Sequence, residues 1–170
     1  MQSRGWAVAS AVVMLAGLGS GERLAAQRPA DPLIGTWVLN VARSRYVTGP
    51  PPRSIVRTFD YTRDGMILVT LDSVNAKGEA SSNHWYLSAD GREHPEFSRA
   101  RGPEPILWIS IKAVDTHTKE LTGRRLEGGL LTVVDLMRFE VSKDGQTMTI
   151  TYSDPKTGAE GNVAFYERRP

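Results

Sequence analysis

A chain of 170 residues with 21 basic and 19 acidic side chains carries a formal charge of only +2, and it contains no cysteine. Signs that alternate along the chain exclude the basic stripe of a dedicated nucleic-acid binder. The missing thiol excludes a cysteine nucleophile, a thiolate metal site, a redox couple and a disulfide framework.

The first 26 residues read as a removable leader. Arg4 supplies a positive start, residues 6–18 are apolar apart from Ser10 and Gly17, and Gly19-Ser20-Gly21 and Ala25-Ala26 supply small residues for cleavage. That order of charge, apolar middle and small-residue end is the pattern of a secretory signal. The apolar run falls short of the about 20 residues that span a bilayer. A single arginine makes no twin-arginine signal, and no cysteine follows to carry a lipid. The expectation is therefore an exported protein, periplasmic or secreted, with residues 27–170 forming one domain and no stable membrane anchor after cleavage.

The first periodic segment, 33–40, places Gly35-Thr36-Trp37 among apolar residues and ends on Asn40, a turn former that can also cap one helical turn over 41–44. Residues 41–52, with Gly49 and three consecutive prolines, cannot be a central strand. From Arg53 onward the chain consists of short runs rich in Val, Ile, Thr, Phe and Tyr, separated by turn residues. Strands are expected over 54–62, with Ile55, Phe59 and Tyr61 on one face, over 66–74, and over 80–88, with Asn83, Trp85 and Leu87 sharing a face. Asp64-Gly65, Gly78 and Asp90-Gly91 mark the hairpins between them.

Residues 92–105, charged and holding Pro95, Gly102, Pro103 and Pro105, are expected to be irregular: a lid, a rim element or a solvated insertion. Strands resume over 106–114, 120–126, 130–141, 147–153 and 162–168, with Gly128-Gly129 and Asp144-Gly145 among the turns. About nine strands and no long amphipathic helix make an all-β domain, either a sandwich or a single antiparallel up-and-down barrel of about 8–10 strands.

A resemblance chooses the barrel. Gly35-Thr36-Trp37 at the head of the first strand is similar to the Gly-x-Trp signature of lipocalins and their calycin relatives. Small exported bacterial lipocalin-like proteins of unassigned function resemble the chain over more of its length. The shared features are Gly35 through Asn40 to Ser44, then Gly49-Pro50, a late hairpin over 141–149, and Val163, Tyr166 and Glu167 near the end. The resemblance implies that Trp37 closes one end of a barrel and that an arginine near the end of the last strand, Arg168 or failing that Arg169, stacks over it. It departs at 92–105 and at Gly128-Gly129.

Candidate ligand-contacting residues are Asp135, Met137 and Phe139 on one face of the 130–141 strand, with Trp85, Trp108 and Arg124. A carboxylate among apolar residues that face inward is costly unless it has a partner. Asp135 is thus either a polar anchor in a cavity, with Arg124 or Arg125 as its partner, or a side chain turned to solvent. Trp85 and Trp108 either line a cavity or fill the core, and Tyr86 and Tyr152 are weaker candidates. His84, His94 and His117 match no metal spacing. No serine has a nucleophile-elbow context, and no phosphate loop, dinucleotide fingerprint or His-Glu-x-x-His element is present. No cofactor, metal or catalytic residue is therefore assigned, and the chain is not expected to be an enzyme.

Three functions remain to be weighed. The first is a barrel that holds a small hydrophobic or amphipathic molecule. The second is a filled barrel that offers the 92–105 segment to a protein partner or a target to be inhibited. The third, ranked last, is an enzyme that uses Asp135 or a histidine as acid or base.

Overall fold

A computed structural model describes residues 31–88 and 91–170. The expected leader, residues 1–26, lies outside the described residues, as does the start of the domain at residue 27. Ten strands follow in chain order: β1 (Gly35–Leu39), β2 (Ser54–Tyr61), β3 (Ile67–Val74), β4 (Ala80–Leu87), β5 (His94–Ser98), β6 (Leu107–Ala113), β7 (Thr118–Glu127), β8 (Leu130–Val141), β9 (Thr147–Ser153) and β10 (Glu160–Arg168). Each pairs antiparallel with its neighbour in sequence, and β1 pairs with β10, so the sheet closes into an up-and-down barrel. Closure leaves no free edge along the sheet.

The local reasons are those of alternation and turn chemistry. Along β2 the inward residues Arg57 and Phe59 are buried while Asp60 is exposed. Along β4 Trp85 and Leu87 are buried and Tyr86 is exposed. Along β6 Leu107, Ile109 and Ile111 are buried. Between β1 and β2 the Asn40 side chain accepts a hydrogen bond from the Arg43 backbone N–H at 3.1 Å and caps a single 3-10 turn, Val41–Arg43. The proline run after it carries no strand.

One expected loop is instead partly strand. β5 lies inside the 92–105 segment and pairs with both β4 and β6. Its inward residues, Glu96 and Ser98, are polar, so the apolar alternation that announces a strand is missing. Pro95, which lacks an N–H, lies opposite Trp108 and adds to the disguise.

A second departure is a bulge in β8. Asp135 lies opposite Gly123, but Val133 already lies opposite Arg124, so one extra residue enters β8 between those pairs. The face holding Asp135, Met137, Phe139 and Val141 therefore does not continue through Val133 and Leu131, as strict alternation would have it. Beyond the bulge the β7–β8 hairpin extends with Leu126, Leu130 and Leu131 exposed.

The two ends of the barrel differ. In an up-and-down barrel alternate turns fall at opposite ends. The N-terminal segment and the β2–β3, β6–β7 and β8–β9 turns thus gather at one end, and the β3–β4 turn, the β5–β6 loop and the β7–β8 hairpin gather at the other. The first end is solid. Leu33, Trp37, Phe59, Val69, Met148, Ile150 and Tyr166 are almost fully buried there and in the adjoining middle layer. Burying such side chains stabilises the fold by about 1.5–3 kcal/mol each.

Candidate functional site

The plug at the solid end is built from both termini of the domain. The Trp37 indole N–H donates to the Leu33 carbonyl at 2.8 Å, so its one polar atom is satisfied without water. The Arg168 guanidinium stacks over the Trp37 ring, 4.2 Å from its centroid. It donates to the carbonyls of Ile34 and Gly145, and to that of Pro32 at 2.7 Å. Gly35, at φ +133°, leaves the room: a Cβ there would lie 2.3 Å from Arg168 Nη1. Asp31 latches the segment, receiving Lys119 Nζ at 2.9 Å and the Leu33 backbone N–H at 3.0 Å.

The other end holds a cavity of about 460 Å³. Leu71, Ile106, Leu107, Ile109, Leu121 and Met137 supply an apolar wall, and Ala100 and Arg101 of the β5–β6 loop reach its mouth. A polar pole lies within it. Arg57, Asn83, Trp85, Glu96, Asp135 and Tyr152 all line the space.

Arg57 is the least expected member. It sits on the inward face of β2, opposite Trp37 on β1 and Leu71 on β3, and is only 4% exposed. Its Nε donates to the Tyr166 hydroxyl at 3.2 Å and its Nη2 to the Tyr152 hydroxyl at 3.1 Å. Burial pushes the Tyr166 phenol well above its ordinary range, so that hydroxyl is a neutral acceptor. The rings of Trp85, Phe139 and Tyr166 surround the guanidinium at about 6 Å.

Two carboxyls share the space. Glu96 lies opposite Trp85 across the β4–β5 ladder and accepts a hydrogen bond from Asn83 Nδ2 at 2.9 Å. Burial pushes its pKa up to about 7, and the charge of Asp135 adds to the rise; the Asn83 bond and the Arg57 charge oppose it. Asp135 lies across Gly123, where an added Cβ would come within 3.0 Å of the Asp135 Cβ. Burial raises the Asp135 pKa too, against the pull of Arg125.

The residues singled out from sequence divide cleanly. Asp135, Met137 and Trp85 line the cavity. Phe139 lies deeper, 1% exposed and packed edge-on against Phe59 at 6.4 Å; it supports the pole and does not line it. Trp108 is on the outward face of β6, because the inward positions are its neighbours Leu107 and Ile109. Arg124 also stays outside the cavity, paired with Glu93 at 2.6 Å, and its neighbour Arg125 lines the space in its place. His84, His94 and His117 sit on β4, β5 and the β6–β7 turn, and no cluster of three metal-ligating side chains occurs among the described residues.

Arg57, Glu96 and Asn83 were missed as site residues. A signal for Arg57 existed: it alternates with Ile55 and Phe59 on one face of β2. Glu96 had none, because its strand was hidden. No family model matches the sequence, and no curated protein matches it either.

Proposed function

We propose that this chain is an exported, lipocalin-like barrel that binds one small amphipathic molecule in its open-ended cavity. One observation carries the reading: an apolar-walled space of about 460 Å³ with a polar pole, at the end of the barrel opposite the Trp37 plug. The volume lies within the about 300–1,000 Å³ range of small-molecule pockets, and an apolar wall with a few convergent polar groups is their usual lining. The Gly35-Thr36-Trp37 strand and the Arg168 stack support the lipocalin-like assignment, and the leader pattern supports export.

The protein-interaction reading loses its motive. Within the 92–105 segment, residues 94–98 are β5, and Ala100 and Arg101 line the cavity.

Native mass spectrometry of protein purified without detergent from the producing cells tests the proposal. A bound small mass that leaves on denaturation is the expected result. A persistent apo mass, together with no uptake of added apolar or amphipathic probes, overturns it.

A further inference from the structure

We infer that the ligand is an amphipathic acid: Arg57 and the Trp85 indole N–H form an anion subsite for its carboxylate, and its chain lies along the apolar wall. This rests on the binding reading above and narrows it to one chemical class.

Arg57 is a buried permanent cation, and among the described residues no carboxylate lies within ion-pair distance of it. A guanidinium has five N–H groups. Two of them are used here, both on hydroxyl acceptors. Surrounding rings soften the charge without cancelling it. A buried unpaired charge is costly, and such sites are completed by a counter-ion.

Trp85 points to the same class of ligand. It is 3% exposed, it lines the cavity, and its Nε1 has no hydrogen-bond partner among the described residues. Its ring centroid is 6.0 Å from the Arg57 guanidinium carbon, so the two side chains are neighbours in the cavity wall. A buried donor without an acceptor asks for an occupant. A carboxylate meets both needs, because charge-assisted bonds to guanidinium are the strong ones.

Glu96 and Asp135 face the same space and would suit an amine instead. The permanence of the charges decides between the two. Arg57 cannot shed its proton, whereas Glu96 titrates near neutrality and can donate to an incoming carboxylate. An amine would have to settle beside the fixed cation, with Arg125 and Arg101 also lining the cavity.

Three ten-carbon probes that differ only in head group test this by isothermal calorimetry on the purified protein: decanoate, decanol and decylamine. Decanoate should bind about tenfold or more tighter than decanol, the gain of one charge-assisted bond. Its affinity should fall several-fold between about pH 6 and about pH 8, as Glu96 ionises beside Arg57. In Arg57→Met decanoate should fall to the level of decanol, and in Arg57→Lys it should keep part of the margin. Equal binding of decanoate and decanol to the unaltered protein removes the anion subsite and leaves the carrier reading standing. Tightest binding of decylamine moves the anchor to the carboxyls and overturns the proposal. Binding of none of the three overturns both readings.

Discussion

Two inward arginines, cross-strand neighbours of Trp37 on either side, are used in opposite ways. Arg168 rests 4.2 Å from the Trp37 centroid and donates to three backbone carbonyls, so its fork is spent on the fold. Arg57 is deeper, 4% exposed, yet donates to two hydroxyls and meets no carboxylate within ion-pair distance among the described residues. The tryptophans repeat the contrast. Trp37 Nε1 has the Leu33 carbonyl, and Trp85 Nε1 has no partner among the described residues. One end satisfies its polar groups from its own chain. The other leaves donors over, and that difference separates a structural plug from a site.

The plug should be the costliest place to disturb. Trp37→Ala should lose about 3–5 kcal/mol in denaturant unfolding, since it empties the largest buried volume and strands the Arg168 stack. Gly35→Ala should follow at about 2–4 kcal/mol. The added Cβ meets Arg168 Nη1, which cannot move without giving up its carbonyls, and φ +133° strains any side chain. A loss below about 0.5 kcal/mol for Gly35→Ala would mean that the plug is less tightly determined than its geometry implies.

Glu96 sharpens the comparison through pH. Its folded pKa, about 7, is raised above the ordinary 4.5, so the folded state holds a proton that the unfolded state releases. The Glu96 contribution to stability is full below about pH 4.5 and is lost as pH rises toward and through 7. Asp135 is shifted in the same direction. In Glu96→Gln that loss should shrink, leaving the variant on the order of 2–3 kcal/mol more stable than the parent at about pH 8, measured relative to the difference at about pH 4. Parallel stability curves for the two proteins would contradict this.

Arg57→Met should change unfolding free energy by only about 1 kcal/mol in either direction, because removing an uncompensated charge offsets the lost bonds to Tyr152 and Tyr166. A loss as large as that of Trp37→Ala would make Arg57 a structural residue and erase the contrast. The smallest effect belongs to the exposed hairpin tip: Leu130→Ser, 73% exposed, should stay within about 0.5 kcal/mol.

Much of the barrel was legible in the chain, and the reasons are local. Nine of the strands announce themselves because one face is apolar or because Asp-Gly and related turns bound them. Asn40 named its own cap, and Trp85 with Leu87 named an inward face. β5 was illegible because its inward residues, Glu96 and Ser98, face the polar pole and not an oily core. The bulge beside Asp135 was equally hidden, since only pairing with β7 shows that Val133 and Asp135 take successive partners. Asp135, Met137 and Trp85 were legible as cavity residues, whereas Glu96 escaped for a connected reason: a polar inward group erases the apolar pattern that reveals a strand.

The most direct single measurement is an indole N–H titration by two-dimensional 1H–15N NMR as decanoate is added. The account predicts that the Trp85 Nε1–H resonance shifts downfield on gaining an acceptor, while the Trp37 resonance, already bonded to Leu33, stays in place. Movement of Trp37 without Trp85, or no movement of either at saturating decanoate, would contradict it.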